Sequence, residues 1–224
     1  SEIANLIGHF DLNIEFDKSP LQSLFFDDCI VKGKDFSEGG AKYNYHGLLV
    51  VGLPNLINSL LNIKEYVFNK HLCSLDDCWN CIERNFEGHE DLRLLFQQNP
   101  FKFGMANQDI IELTNHIMDK ISSAVAKRTM FGEKIKVGFS SPSYIGLAKE
   151  YPASLDGRHK GDPFAVHISP ISSDIDISEI LDFASSLKYE GNRINGNVVD
   201  FIVPASYAKM PEKLVEILKN ACKK

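Results

Sequence analysis

Between Pro54 and Lys127 the apolar residues return every three or four positions in four successive stretches, which commits the middle of the chain to amphipathic helices packed on one another. The first stretch runs from Pro54 to about Asn69 on Leu56, Ile57, Leu60, Leu61, Ile63 and Phe68. Ser74 opens the second, with Asp77 completing a box-like cap, Cys78, Trp79, Ile82 and Phe86 facing inward, and Gly88 as its stop. The third covers residues 89–97 and ends before Asn99-Pro100. The fourth, residues 108–127, carries Ile110, Ile111, Leu113, Ile117, Met118, Ile121 and Val125.

The flanks are less regular. Residues 10–16 alternate apolar and polar, which reads as a strand. Ser19, a candidate N-cap with Pro20 behind it, opens a short buried helix on Leu21, Leu24, Phe25, Cys29 and Ile30 that reaches Gly33. After the helical middle, Ile135, Val137 and Phe139 alternate as a strand, and a loop rich in Gly, Pro and Ser fills residues 140–173. A helix over 177–187, a strand over 198–203 and a helix over 211–222 close the chain. The fold class expected is α/β and helix-rich, in a single domain over residues 1–224. A strand at 198–203 that is apolar on both faces needs flanking strands and covering layers.

The formal charge of −6, with both signs mixed along the length, offers no basic field for nucleic acid or anionic lipid. The longest apolar run, from Leu48 to Leu53, falls far short of the roughly 20 residues that span a bilayer. The first residues show neither a basic nor an apolar leader, and the missing initiator Met is read as processing or a recombinant boundary. A cytoplasmic location follows as the expectation. Five cysteines, Cys29, Cys73, Cys78, Cys81 and Cys222, suit a reducing compartment and imply no disulfide framework.

Few motifs carry chemistry on their own. Cys78-Trp-Asn-Cys81 is a CxxC that, with Cys73 and His71 or His89, could hold zinc or act as a redox pair; packing of small thiols on the inner face of a capped helix is the better account. Glu38-Gly39-Gly40 lacks the Lys-Ser/Thr of a phosphate loop, no HExxH or EF-hand spacing occurs, and no serine sits in a GxSxG elbow. Neither a metal nor a catalytic residue is expected within the chain. The densest mix of glycine and polar aromatics, from Phe36 to Leu48, reads as a loop shaped around something.

Three blocks, in order, resemble one enzyme family. Asp28-Cys-Ile-Val-Lys-Gly-Lys-Asp-Phe-Ser-Glu-Gly-Gly-Ala-Lys-Tyr-Asn44, continued by Val51-Gly-Leu-Pro-Asn-Leu-Ile-Asn-Ser-Leu-Leu-Asn-Ile-Lys64, is similar to a stretch of the glycyl radical enzymes of the pyruvate formate-lyase type. Ser154-Leu-Asp-Gly-Arg-His-Lys-Gly-Asp-Pro-Phe-Ala165 with Ile168-Ser-Pro170 resembles the DGR-x-x-G-x-P-x-A segment of that family. Asn192-Arg-Ile-Asn-Gly-Asn197 with Pro204-Ala-Ser resembles its late barrel strand.

The resemblance implies a partial half of a ten-stranded α/β barrel and a parent that is a formate acetyltransferase or a C–C, C–O or C–N lyase. In that family a thiyl cysteine loop lies upstream of the Glu-Gly-Gly block and a glycine motif near the C-terminus carries the radical. Neither motif occurs in this sequence, so the chain alone is expected to be inert: hydrogen-atom relay needs both groups within a few ångströms in a dry cavity. The resemblance further implies a glycyl radical in the parent, installed by a radical SAM activating enzyme, with the remainder of the barrel and a second copy of the chain as partners. It offers Glu38, Tyr43, Asn44, Arg158, Asn195 and Asn197 as substrate-cavity candidates. For Arg158 the alternative is a loop anchor, and for Glu38, Tyr43 and Asn44 the satisfaction of loop backbone groups. A second reading keeps the chain outside enzymology, as a stand-alone binding or structural module derived from the family.

Overall fold

The computed structural model describes residues 18–44, 47–130, 132–194 and 197–223. Its helices are α1 (Pro20–Ser23), α2 (Cys29–Lys32), α3 (Leu53–Asn62), α4 (Leu75–Glu83), α5 (Glu90–Gln97), α6 (Gln108–Val125), α7 (Ile177–Ser185) and α8 (Pro211–Ala221). The strands are β1 (Gly47–Leu49), β2 (Thr129–Met130), β3 (Glu133–Lys134) and β4 (Lys136–Gly138). The class is α/β and helix-rich, with β1 paired to β4 and β2 to β3. Among the described residues no helix is long and apolar enough to cross a membrane. The expected strand over 10–16 lies outside the described residues.

The chain divides into two compact units, one made of Ser1–Leu48, Met118–Gly138 and Tyr189–Asn195 and the other of Leu49–Ile117, Phe139–Lys188 and Gly196–Lys224. In the first, β2 and β3 form an antiparallel pair with Thr129 opposite Lys134 and Met130 opposite Glu133. Ile135 and Val137 are buried beside it, as their alternation requires. The Val137 amide donates to the Asn192 carbonyl at 2.6 Å. The expected helix over 19–33 is broken in two, because Asp28 takes a left-handed conformation (φ 75°) that no continuous helix accommodates. Most of its apolar side chains are not buried: Leu21, Phe25 and Val31 are 78%, 88% and 89% exposed, and Cys29, at 3%, is the exception among the residues read as inward. Ser19 does not cap α1 with its side chain; its amide instead donates to Asp35 at 2.9 Å.

The second unit holds the helical layer. α3 buries Leu53, Ile57 and Leu61 and runs on into a π-helical stretch, Ile63–Asn69. α4 starts at the predicted capping box, in which the Ser74 hydroxyl accepts from the Asp77 amide at 3.1 Å and the Asp77 carboxylate accepts from the Ser74 amide at 2.8 Å. The helix ends at Glu83 rather than near Gly88, since Asn85 and Phe86 turn left-handed (φ 52° and 63°). Cys78, Cys81 and Phe86 face inward as expected, but Trp79 is 60% exposed: the face opposite the cysteines carries it outward. These residues join Tyr66, Val67, Phe96, Ala153 and Leu155 in one apolar cluster. Phe103 and Phe183, both buried, meet edge to face with centroids 4.8 Å apart.

Residues 198–203 do not form a strand. Their main chain is tied to the loop, with the Val198 amide donating to Ser140 Oγ at 2.7 Å and the Asp200 amide to Ser169 Oγ at 2.7 Å, while Ile202 stays 84% exposed. The apolar pattern there was real, but a strand needs a neighbouring strand to complete its ladder.

Candidate functional site

The long loop after β4 is held down by asparagines. Three of them, at 55, 58 and 62, recur at helical spacing on α3, whose other residues apart from Ser59 are apolar. Asn55, 4% exposed, donates through Nδ2 to Asp156 Oδ2 at 2.6 Å and accepts at Oδ1 from the Ala165 amide at 2.8 Å. Asn62, 1% exposed, donates to the Leu155 carbonyl at 2.6 Å and accepts from Asn99 Nδ2 at 2.7 Å. Asn99 in turn accepts from the Phe101 amide at 2.9 Å, and Asn58 accepts from the Phe103 amide at 2.7 Å. Each buried amide thus meets both a donor and an acceptor, which is the condition for burying it without a net loss.

The Asp156-Gly157-Arg158 turn is the other half of this lock. Gly157 sits at φ 91°, and a Cβ there would lie 2.5 Å from Gln97 Cγ, so the position requires glycine. Its carbonyl accepts from Gln97 Nε2 at 3.3 Å and Arg93 Nη1 at 3.4 Å. Asp156 Oδ1 accepts from the Ser154 hydroxyl at 2.5 Å, opposite the oxygen that meets Asn55. Arg158 is 7% exposed and lies over the Phe164 ring at 4.2 Å. Its guanidinium donates to the carbonyls of His159 (3.1 Å), Asp162 (2.8 Å) and Pro152, and to Ser154 Oγ (3.1 Å). Burial pushes its pKa down, with the carboxylates of Asp156 and Asp162 countering.

Around this turn lies a cavity of about 700 Å³, lined by Asn55, Asn58, Lys102, Tyr144, Asp156 and Arg158 among others. Lys102 is paired there with Asp174 at 3.7 Å. None of the five cysteines lines it, so this wall carries no thiol for hydrogen-atom transfer. Among the described residues, no group of three or more His, Cys, Asp or Glu could hold a metal ion.

The other candidates fall as follows. Glu38 completes a capping box with Asp35, accepting from its amide at 3.3 Å, and pairs with Lys18 at 2.7 Å; the Lys18 ammonium holds its carboxyl below the ordinary value, against desolvation. Asn44 donates to the carbonyls of Ala41 (3.0 Å) and Gly39 (3.4 Å), bracing its own loop. Tyr43 is 82% exposed, with Lys42 Nζ 5.5 Å from its ring centroid. Asn197 accepts from the Phe139 amide at 3.2 Å. Asn195 lies outside the described residues. Glu38, Tyr43 and Asn44 belong to the first unit, Arg158 and Asn197 to the second. Sequence reading passed over Asn55, Asn62 and Asn99; asparagines at helical spacing inside an apolar helix were the available signal.

Residues 9–146 match the family model described as pyruvate formate lyase-like. Trans-4-hydroxy-L-proline dehydratase of Clostridioides difficile is 33% identical over 153 residues, covering 67% of this chain and 19% of that protein. (2S)-3-sulfopropanediol dehydratase of Klebsiella oxytoca is 28% identical over 158 residues, 69% of this chain and 19% of that protein. Among solved structures, a glycyl radical enzyme from Archaeoglobus fulgidus superposes with a TM-score of 0.80 at 29% identity, covering 95% of this chain and 28% of that one. The hydroxyproline dehydratase of C. difficile superposes with a TM-score of 0.82 at 24% identity, over 96% of this chain and 28% of that one. The fold is therefore a helix-rich portion of the glycyl radical enzyme barrel, and the chain spans about a fifth of the curated relatives it matches.

Proposed function

Since the chain belongs to the pyruvate formate lyase-like family, we propose that it is a segment of the catalytic barrel of a glycyl radical lyase, with elimination of water from a small polyol or hydroxylated amino acid as the reaction class. The dehydratase relatives support that class. The observation that carries the reading is the lock between α3 and the Asp156-Gly157-Arg158 turn, two family-like blocks about a hundred residues apart joined by buried hydrogen bonds. The role of the segment is to set the shape of a cavity wall. Tyr43 stands nearest to a substrate role, whereas Arg158, Glu38, Asn44 and Asn197 spend hydrogen bonds on backbone groups and act by holding those segments in place.

In this reading the segment works with the remainder of the barrel, with a radical SAM activating enzyme that installs the radical on a glycine elsewhere in the protein, in the cytoplasm, and as a homodimer. Phe25 and Val31 in the first unit and, separately, Ile202 in the second, each more than four-fifths exposed, support surfaces made for neighbours rather than for water.

The test is anaerobic activation of the full gene product and, in parallel, of the isolated chain, read by electron paramagnetic resonance and by turnover of diol and hydroxyproline substrates. The full product is expected to develop a glycyl radical and to turn over, and the chain alone to do neither. A full product without a radical signal would sink the enzyme reading and favour a binding module.

A further inference from the structure

We propose that Cys73 and Cys78 form an oxidant-sensitive thiol pair that closes to an intramolecular disulfide across the first turn of α4.

The placement follows from the helix start. Ser74 is the N-cap, so Cys73 immediately precedes the cap and Cys78 is the fourth residue of the helix. Those two positions face each other across the first turn, where a pair of apolar side chains ordinarily fixes the entry angle of the chain. Here both are cysteines, both sit at the apolar cluster around Phe86 and Phe96, and each perturbs the other's thiol. The reciprocal bonds between Ser74 and Asp77 hold the turn in this geometry. The two thiols differ in access. Cys73 is half-buried and lines an open depression of about 640 Å³ with His71, Leu72 and Asp76. Cys78 lies behind it at 3% exposure, packed in the apolar cluster with Tyr66, Phe86 and Phe96. Cys81, at 0% exposure, is one turn further along the helix and away from solvent. The pair therefore has an accessible attacking thiol and a sheltered resolving thiol, and the reactive couple is not the CxxC that the sequence puts forward.

The chemistry balances with hydrogen peroxide as oxidant. The Cys73 thiolate attacks one peroxide oxygen, the O–O bond breaks, and hydroxide leaves and takes up a proton as water, giving a sulfenic acid. The Cys78 sulfur then attacks the Cys73 sulfur, the S–O bond breaks, and the thiol proton leaves with the oxygen as a second water. Two thiols are oxidised by two electrons and one peroxide is reduced. Burial pushes both thiols up, Cys78 to about 12, so the reaction is slow at neutral pH and accelerates as pH rises.

The experiment treats the native chain with hydrogen peroxide, blocks remaining thiols with N-ethylmaleimide, and digests with a protease that cuts before Asp76 and Asp77, separating Cys73 from Cys78. Mass spectrometry is expected to find the two fragments joined through Cys73 and Cys78, with the joined fraction growing as pH is raised. The link should vanish in C73S and persist in C81A. A link between Cys78 and Cys81, or Cys73 converted to sulfinic acid with no cross-link in both the parent chain and C81A, would overturn the proposal.

Discussion

The stretches that start at Pro20 and at Leu53 both have proline in the first turn and both carry leucines at helical spacing, yet only the second becomes a long buried helix. The first is four residues long, ends in turns before the left-handed Asp28, and leaves Leu21 and Leu24 78% and 57% exposed. The second buries Leu53 and Ile57 to 1% and 0% and places asparagines where loop backbone must be satisfied. The difference lies in what each face meets. Periodicity defines a face, but burial needs a partner surface, and α3 has one in the loop that returns from residue 152 onward while the stretch around α1 is held chiefly by polar bonds to Asp35.

The contrast predicts unequal responses to mutation. The largest effect is expected in the second region: Phe103→Ala should destabilise by about 4 kcal/mol in urea unfolding, because a fully buried ring packed on Phe183 leaves a cavity. Asn62→Ala should cost about 3 kcal/mol, since it strands the Leu155 carbonyl and the Asn99 amide. Losing less than about 1 kcal/mol in either variant would break the comparison.

In the first region the sensitive group is Asp35. Desolvation pushes its carboxyl up, but hydrogen bonds from the Ser37 hydroxyl and amide, the Ser23 hydroxyl and the Ser19 amide outweigh this and hold it below its ordinary value of 3.8. With the folded value depressed, the stabilisation is fully present above pH 3.8 and is lost as pH falls through the folded value. The Ser37 amide resonance should therefore shift at a pH below 3.8, and Asp35→Asn should abolish that transition. The smallest effect belongs to Phe25→Ser, expected to change stability by less than about 0.5 kcal/mol while reducing self-association in sedimentation. A large loss there would show that the exposed region is packed after all.

Much of the helical layer was legible in the sequence because its period is local. α4 through α8 lie within a few residues of where apolar spacing and caps put them, and the Ser74–Asp77 box is present as read. The cost of burying Asn55 and Asn62 was not legible, because their partners at 156, 165 and 155 are supplied by tertiary structure. The same holds for Arg158: the motif marks it, but which carbonyls surround the guanidinium depends on how the loop closes. Residues 198–203 show the converse failure, where a correct apolar pattern yields no strand without a neighbour to pair with. Cys73 was overshadowed by the CxxC even though the Ser74 cap read from the sequence already set it just before the helix and Cys78 one turn inside it.

The account rests on the segment belonging to a barrel whose catalytic loops lie elsewhere in the same protein, and sequencing the gene on both sides of this stretch tests that most directly. A cysteine loop upstream and an Arg-Val-x-Gly-Tyr-like glycine motif downstream, in one reading frame, is the predicted result. A start codon and a stop codon immediately flanking these residues would contradict it and leave a binding module in its place.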